Sequence, residues 1–109
     1  MSEERRDRLV QDLTELGEQE AAARAALGAV EGEVFKAKRR LPELFDLAAR
    51  LPVELPGWRN TLVEIAVTDA FVRFNREIVA AAQSRIDMLK QQALAKAESL
   101  ADVEASSKT

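Results

Sequence analysis

The chain has 109 residues and a formal net charge of −3, and it contains neither cysteine nor histidine. A chain of this length is expected to form one domain, which we place at about residues 1–104. Without cysteine and histidine there are no disulfides, thiolate nucleophiles, common zinc sites or imidazole general base. We therefore predict no catalytic, metal or cofactor site, and a protein that is not an enzyme.

The first predicted element is a helix over about residues 2–41. Its apolar residues recur at alternating steps of four and three, and only Glu20 interrupts the series. Such a sustained heptad indicates coiled-coil packing against another helix. The apolar positions of this seam are Leu9, Leu13, Leu16, Ala23, Leu27, Val30, Val34, Ala37 and Leu41.

All three prolines lie in one short region, at Pro42, Pro52 and Pro56. Proline begins or ends helices because it lacks a backbone N–H and its ring clashes with the preceding turn. We therefore predict that the first helix ends before Pro42. A short helix over about residues 43–51 and a loop should follow at the tip of a hairpin.

The last predicted helix spans about residues 60–103, and residues 105–109 are expected to form a disordered tail. Thr61 and Glu64 have the spacing of a capping box at its start. Two apolar stripes run along it. The broad stripe contains Val63, Val67, Ala70, Phe71, Phe74, Ile78 and Ala81. The heptad stripe keeps strict seven-residue spacing and contains Ile65, Val72, Val79, Ile86, Ala93 and Leu100.

Two stripes on one helix imply two packing neighbours. We assign the broad stripe to the first helix because it is the broader of the two, so replacing Phe74 with alanine should cost about 3 kcal/mol or more. The heptad stripe then becomes the partner interface. The predicted fold is all-α, a long antiparallel coiled-coil-like hairpin with a short third helix at its tip, within an oligomeric helical bundle.

A basic cluster, defined as Lys36, Lys38, Arg39 and Arg40, lies near the end of the first predicted helix. Positive charge there stabilises the helix dipole, which is one explanation of the cluster. The other explanation is a patch that binds an anion or an acidic partner. Because the whole chain is acidic, it lacks the strong basic excess of most dedicated nucleic-acid binders.

These features favour a structural, assembly, adaptor or chaperone-like protein that self-associates or binds a partner helix through the heptad stripe. The alternative is a nucleic-acid-associated regulator that uses the basic cluster. No signal peptide or membrane span is expected, which points to a cytoplasmic protein. The richness in alanine, and in arginine over lysine, suggests a bacterial or phage source.

Overall fold

The computed structural model describes residues 2–107, and this part of the chain consists of two α-helices. Helix α1 spans Ser2–Arg50 and helix α2 spans Pro56–Ser107. The five residues between them form the turn, and no strand occurs among the described residues. The predicted all-α helical hairpin is therefore confirmed.

The predicted short third helix does not exist as a separate element, because α1 continues through Pro42 as far as Arg50. A proline inside a helix costs about 3 kcal/mol. The seam continues beyond it in unchanged phase, through Leu41, Leu44 and Ala48, and Leu44 is fully buried. Burial of this additional length of seam offsets the cost of the proline.

Helix α2 begins earlier than predicted, at Pro56, because proline suits the first position of a helix. Thr61 therefore lies inside the helix, where its Oγ1 donates a hydrogen bond of 2.7 Å to the carbonyl of Gly57. The predicted capping box of Thr61 and Glu64 is wrong. At its other end α2 continues to Ser107, into the predicted disordered tail, while residues 108–109 lie outside the described residues.

The described residues fall into two compact units. The turn unit, residues 27–81, contains the end of α1, the turn and the start of α2. Its buried side chains are Leu44, Thr61, Val72 and Asn75. Asn75 Nδ2 donates to the carbonyl of Phe71 at 2.8 Å, so this buried amide is satisfied by its own helix.

The terminal unit contains the described parts of residues 1–26 and 82–109. Two solvent-accessible ion pairs join its helical segments in antiparallel order, Arg6–Glu104 at 3.3 Å and Asp12–Lys96 at 3.2 Å. Exposed pairs of this kind contribute little free energy. Burial of Leu9, Ile86, Leu89 and Val103 therefore provides most of the packing in this unit.

Gly28 and Gly32 lie on an open surface of α1. A Cβ atom at either position would meet no atom within 4 Å beyond the adjacent residues and the nearby backbone of its own helix. Changing either glycine to alanine should therefore stabilise the chain by up to about 1 kcal/mol, through helix propensity alone. Urea unfolding measures this gain. Ala29→Gly, at an exposed neighbour, is the reverse control and should lose a similar amount, whereas a destabilised Gly→Ala variant would reveal a close contact there.

Candidate functional site

The heptad stripe, predicted as the partner interface, is covered within the chain. In the turn unit Val72 is only 5% exposed, and Val72 and Val79 line the same groove as Val34 of α1. In the terminal unit Ile86 is 7% exposed. The remaining members, Ile65, Ala93 and Leu100, are half-buried. Helix α1 therefore occupies the stripe that we expected to be left for a partner.

The broad stripe of α2, predicted to pack on α1, instead faces solvent. Phe74 is 66% exposed, Val67 64% and Val63 57%. Phe71 and Ile78 are less exposed, at 41% and 38%. We call these five residues, with Ala70 and Ala81 beside them, the outer face. The prediction that Phe71 and Phe74 form the core is wrong.

The length of each stripe explains why α1 packs on the heptad stripe. Long helices stay in contact only if their apolar positions repeat every seven residues on both sides. The seam of α1 has this repeat, and the heptad stripe matches it from Ile65 to Leu100. The outer face has larger side chains but ends at Ala81. The match between the seven-residue repeats of the two helices therefore decides which stripe of α2 packs on α1, and side-chain size does not.

The other two phenylalanines of the chain lie on α1, and they are exposed as well. Phe35 is 61% exposed and Phe45 is 58% exposed. Neither belongs to the seam positions of α1, and this is the signal by which their exposure could have been predicted. Together with Phe71 and Phe74, they place all four phenylalanines of the chain on the surface of the turn unit.

A shallow groove borders the outer face where it approaches α1. Val67, Thr68 and Phe71 of α2 form one wall, and Ala37 of α1 lies opposite them. Its other lining residues are charged: Glu33, Lys36 and Arg40. Lys36 Nζ lies 3.5 Å from Glu33 Oε1, so the apolar groove has a rim whose charges are partly paired.

The basic cluster does not form one patch. Lys36 and Arg40 line the groove beside Phe71, whereas Lys38 lines a different groove, beside Phe35. Arg39 lies over the ring of Phe35, with its Cζ 5.8 Å from the ring centroid. Consecutive positions on a helix point in different directions, and the four cations are therefore divided among separate surroundings.

Arg40 connects the two helices of the turn unit. Its Nη1 donates to Glu43 Oε2 at 3.1 Å and its Nη2 donates to Glu64 Oε1 at 3.4 Å. The hydrogen bond to Glu43, reinforced by Glu64, raises the pKa of the Arg40 guanidinium. Its charge is therefore compensated by two carboxylates of the chain itself, which makes it a poor anchor for an added anion.

The other polar features of the turn unit are local. Arg73 Nε lies 3.0 Å from Asp69 Oδ2, an i,i+4 contact along α2. Within residues 2–107, no group of three or more acidic side chains is placed to hold a metal ion. The same residues contain no helix that is long and apolar enough to cross a membrane. The feature of the turn unit that differs most from an ordinary protein surface is thus the outer face, with its exposed apolar side chains.

Comparison with known proteins gives no relative from which a role could be transferred. No protein-family model matches the chain, and neither the curated proteins nor the solved structures contain a match. The outer face must therefore be interpreted from its own residues.

Proposed function

We propose that this chain is a non-enzymatic assembly or adaptor protein, and that the outer face of α2 binds another helix. The observation that carries the proposal is the continuous exposure of Val63, Val67 and Phe74 on a helix whose opposite side already packs on α1. Large contiguous apolar patches on soluble proteins usually mark interaction sites.

The dimensions of the outer face suit a helical partner. From Val63 to Ala81 it extends about 27 Å, at a rise of about 1.5 Å per residue. Its members recur at steps of three and four, so they form a strip along one side of five turns. A strip of this kind is typically covered by the apolar side of one partner helix.

The charges around the outer face also favour association. The turn unit contains eight basic and eight acidic residues, so its formal charge is zero. The sequence ranges of the terminal unit, 1–26 and 82–109, contain eight basic and eleven acidic residues and account for the whole net charge of −3. Because the turn unit that carries the outer face has no net charge, a partner that approaches this face does not meet the net repulsion of a strongly charged surface.

The size of the complex that the chain forms in an extract of its own cells tests this proposal. We expect the tagged wild-type chain to migrate above monomer size, and Phe74→Glu to migrate as a monomer. Leu94→Glu is the matched control, because Leu94 is 61% exposed but lies outside the outer face. A wild-type chain that is monomeric in the extract would overturn the proposal, and so would a complex that Phe74→Glu leaves intact.

The alternative, a nucleic-acid-associated regulator, makes a different prediction. It requires salt-sensitive binding of duplex DNA, lost when Lys36, Lys38, Arg39 and Arg40 are all changed to glutamine. We expect no such binding at protein concentrations up to about 100 μM at physiological salt. The physical reason is that acidic or aromatic neighbours already engage Lys36, Arg39 and Arg40. Fluorescence anisotropy with labelled DNA measures this, and binding that the four changes abolish would favour the alternative.

A further inference from the structure

We infer that the occupant of the outer face is a second copy of this chain, bound antiparallel about a two-fold axis that passes between Ala70 and Phe71. This inference rests on the proposed function and identifies the partner. In a two-fold dimer the same surface is used by both copies, so it must be complementary to itself. The outer face meets this condition in side-chain size and in charge.

Side-chain size matches in the antiparallel arrangement. An axis between Ala70 and Phe71 places residues opposite each other when their numbers add up to 141. Phe74 then faces the partner's Val67, Phe71 faces the partner's Ala70, and Ile78 faces the partner's Val63. Each large side chain meets a smaller one, as interdigitated packing requires. Parallel pairing in register would instead place every phenylalanine against its own copy and every alanine against an alanine.

The charges that border the outer face are complementary in the same arrangement. At about 100° per residue, Arg59 and Glu77 lie on the same flank of the strip, near its opposite ends. Both are exposed. The two-fold axis brings Arg59 of one copy within about 7.5 Å, measured along the helix, of the partner's Glu77. Two long side chains can span that offset. By contrast, Glu77 lies about 20 Å, measured along the helix, from the partner's Glu77.

The area of the outer face determines how strong the dimer should be. A whole aromatic side chain buries about 150–250 Å². Scaled by their exposed fractions, the five large side chains offer on the order of 400 Å² per copy, or about 800 Å² in total. Stable complexes usually bury about 1,200–2,000 Å² in total, so this interface belongs to the small, reversible class. We expect a monomer–dimer equilibrium in the micromolar range.

Sedimentation equilibrium of the purified chain tests dimer formation. Wild type and Leu94→Glu should show a concentration-dependent shift from monomer to dimer between about 1 and 500 μM, and Phe74→Glu should remain monomeric. Val67→Lys is a second variant of the same face, and circular dichroism verifies that each variant is folded. A monomeric wild type across this range would overturn the inference, as would a dimer that neither Phe74→Glu nor Val67→Lys weakens.

Single cysteines report the orientation, because the natural chain contains none. In the antiparallel dimer, residue 70 lies next to the axis, so Ala70→Cys should form a disulfide-linked dimer under mild oxidation. Residue 81 lies about 31 Å along the helix from its copy, so Ala81→Cys should remain monomeric. Efficient crosslinking of Ala81→Cys would indicate a parallel dimer and overturn the inference, as would failure of Ala70→Cys to crosslink.

These results separate the inference from the proposed function. If the purified chain is monomeric but forms a larger complex in the extract that Phe74→Glu abolishes, a different helix occupies the outer face and only the inference fails. If the chain is monomeric under both conditions, both fail. If it dimerises in both and loses both assemblies on Phe74→Glu, both are supported.

Discussion

Replacing Leu44 with alanine should lower the free energy of unfolding by about 2–5 kcal/mol, the range for removing a buried leucine side chain. Leu44 is the one large side chain among the described residues that is completely buried. It lies two residues after Pro42, on the extension of α1 that sequence patterns place in a separate helix. The loss is expected because removing a fully buried side chain leaves a cavity and forfeits its apolar contacts.

Leu47→Ala is the control for Leu44→Ala. Leu47 lies one turn further along the same helix but is 42% exposed. Its replacement should cost less than about 1 kcal/mol in urea unfolding. Equal losses at the two positions would show that α1 does not carry its seam past Pro42.

A glutamate at Val72 should prevent stable folding, whereas a glutamate at Phe74 should leave the chain folded. Val72 is 5% exposed in the seam with α1, so a carboxylate there would be buried without a partner, at a cost of several kcal/mol. Phe74 is 66% exposed, so its replacement disturbs little packing within the chain. Thermal unfolding followed by circular dichroism distinguishes the two variants.

The same difference in burial revises the expectation for Phe74→Ala. The sequence pattern predicts a cost of about 3 kcal/mol or more, but the exposure of the ring reduces this cost to less than about 1 kcal/mol for the monomer. The measurement belongs at low micromolar concentration, where self-association contributes little. A loss of 3 kcal/mol there, together with a folded Val72→Glu variant, would mean that α1 covers the other face of α2.

Much of the fold could be predicted from periodicity. The steps of four and three along α1 identify the seam, and its members from Leu9 to Leu41 are buried or half-buried in the structure. Even Glu20, the interruption in the series, is half-buried, and it accepts a 2.7 Å hydrogen bond from Arg24 Nη2. Heptad spacing survives one polar residue because the neighbouring turns hold the register.

The errors have two physical causes. Pro42 alone predicts the end of a helix, but the seam keeps its phase from Leu41 to Ala48. The free energy gained by burying these seam residues exceeds the cost of a proline inside the helix. The breadth of the stripe that contains Phe71 and Phe74 favours its packing on α1, which predicts these two side chains inside. Two long helices pack along the apolar stripes whose repeats match over the greatest length. Only the heptad stripe of α2 matches the seam of α1 in this way.

The candidate site could be predicted only in part. Sequence analysis showed that α2 has one stripe more than α1 can cover, and this is the basis of the proposed interface. Which stripe remains exposed depends on pairing between residues far apart in the chain. The local pattern around Phe74 is equally compatible with a core and with a surface for another helix.

The most direct test of this account is which face of α2 is accessible to solvent. Val67→Cys and Val72→Cys introduce the same thiol five residues apart on different sides of α2, and the natural chain has no cysteine. At submicromolar protein, a thiol-reactive dye should label Val67→Cys at nearly the rate of a free peptide and Val72→Cys at least about 100-fold more slowly, limited by opening of the seam. Equal rates, or faster labelling at position 72, would contradict the assignment of the outer face and the function proposed for it.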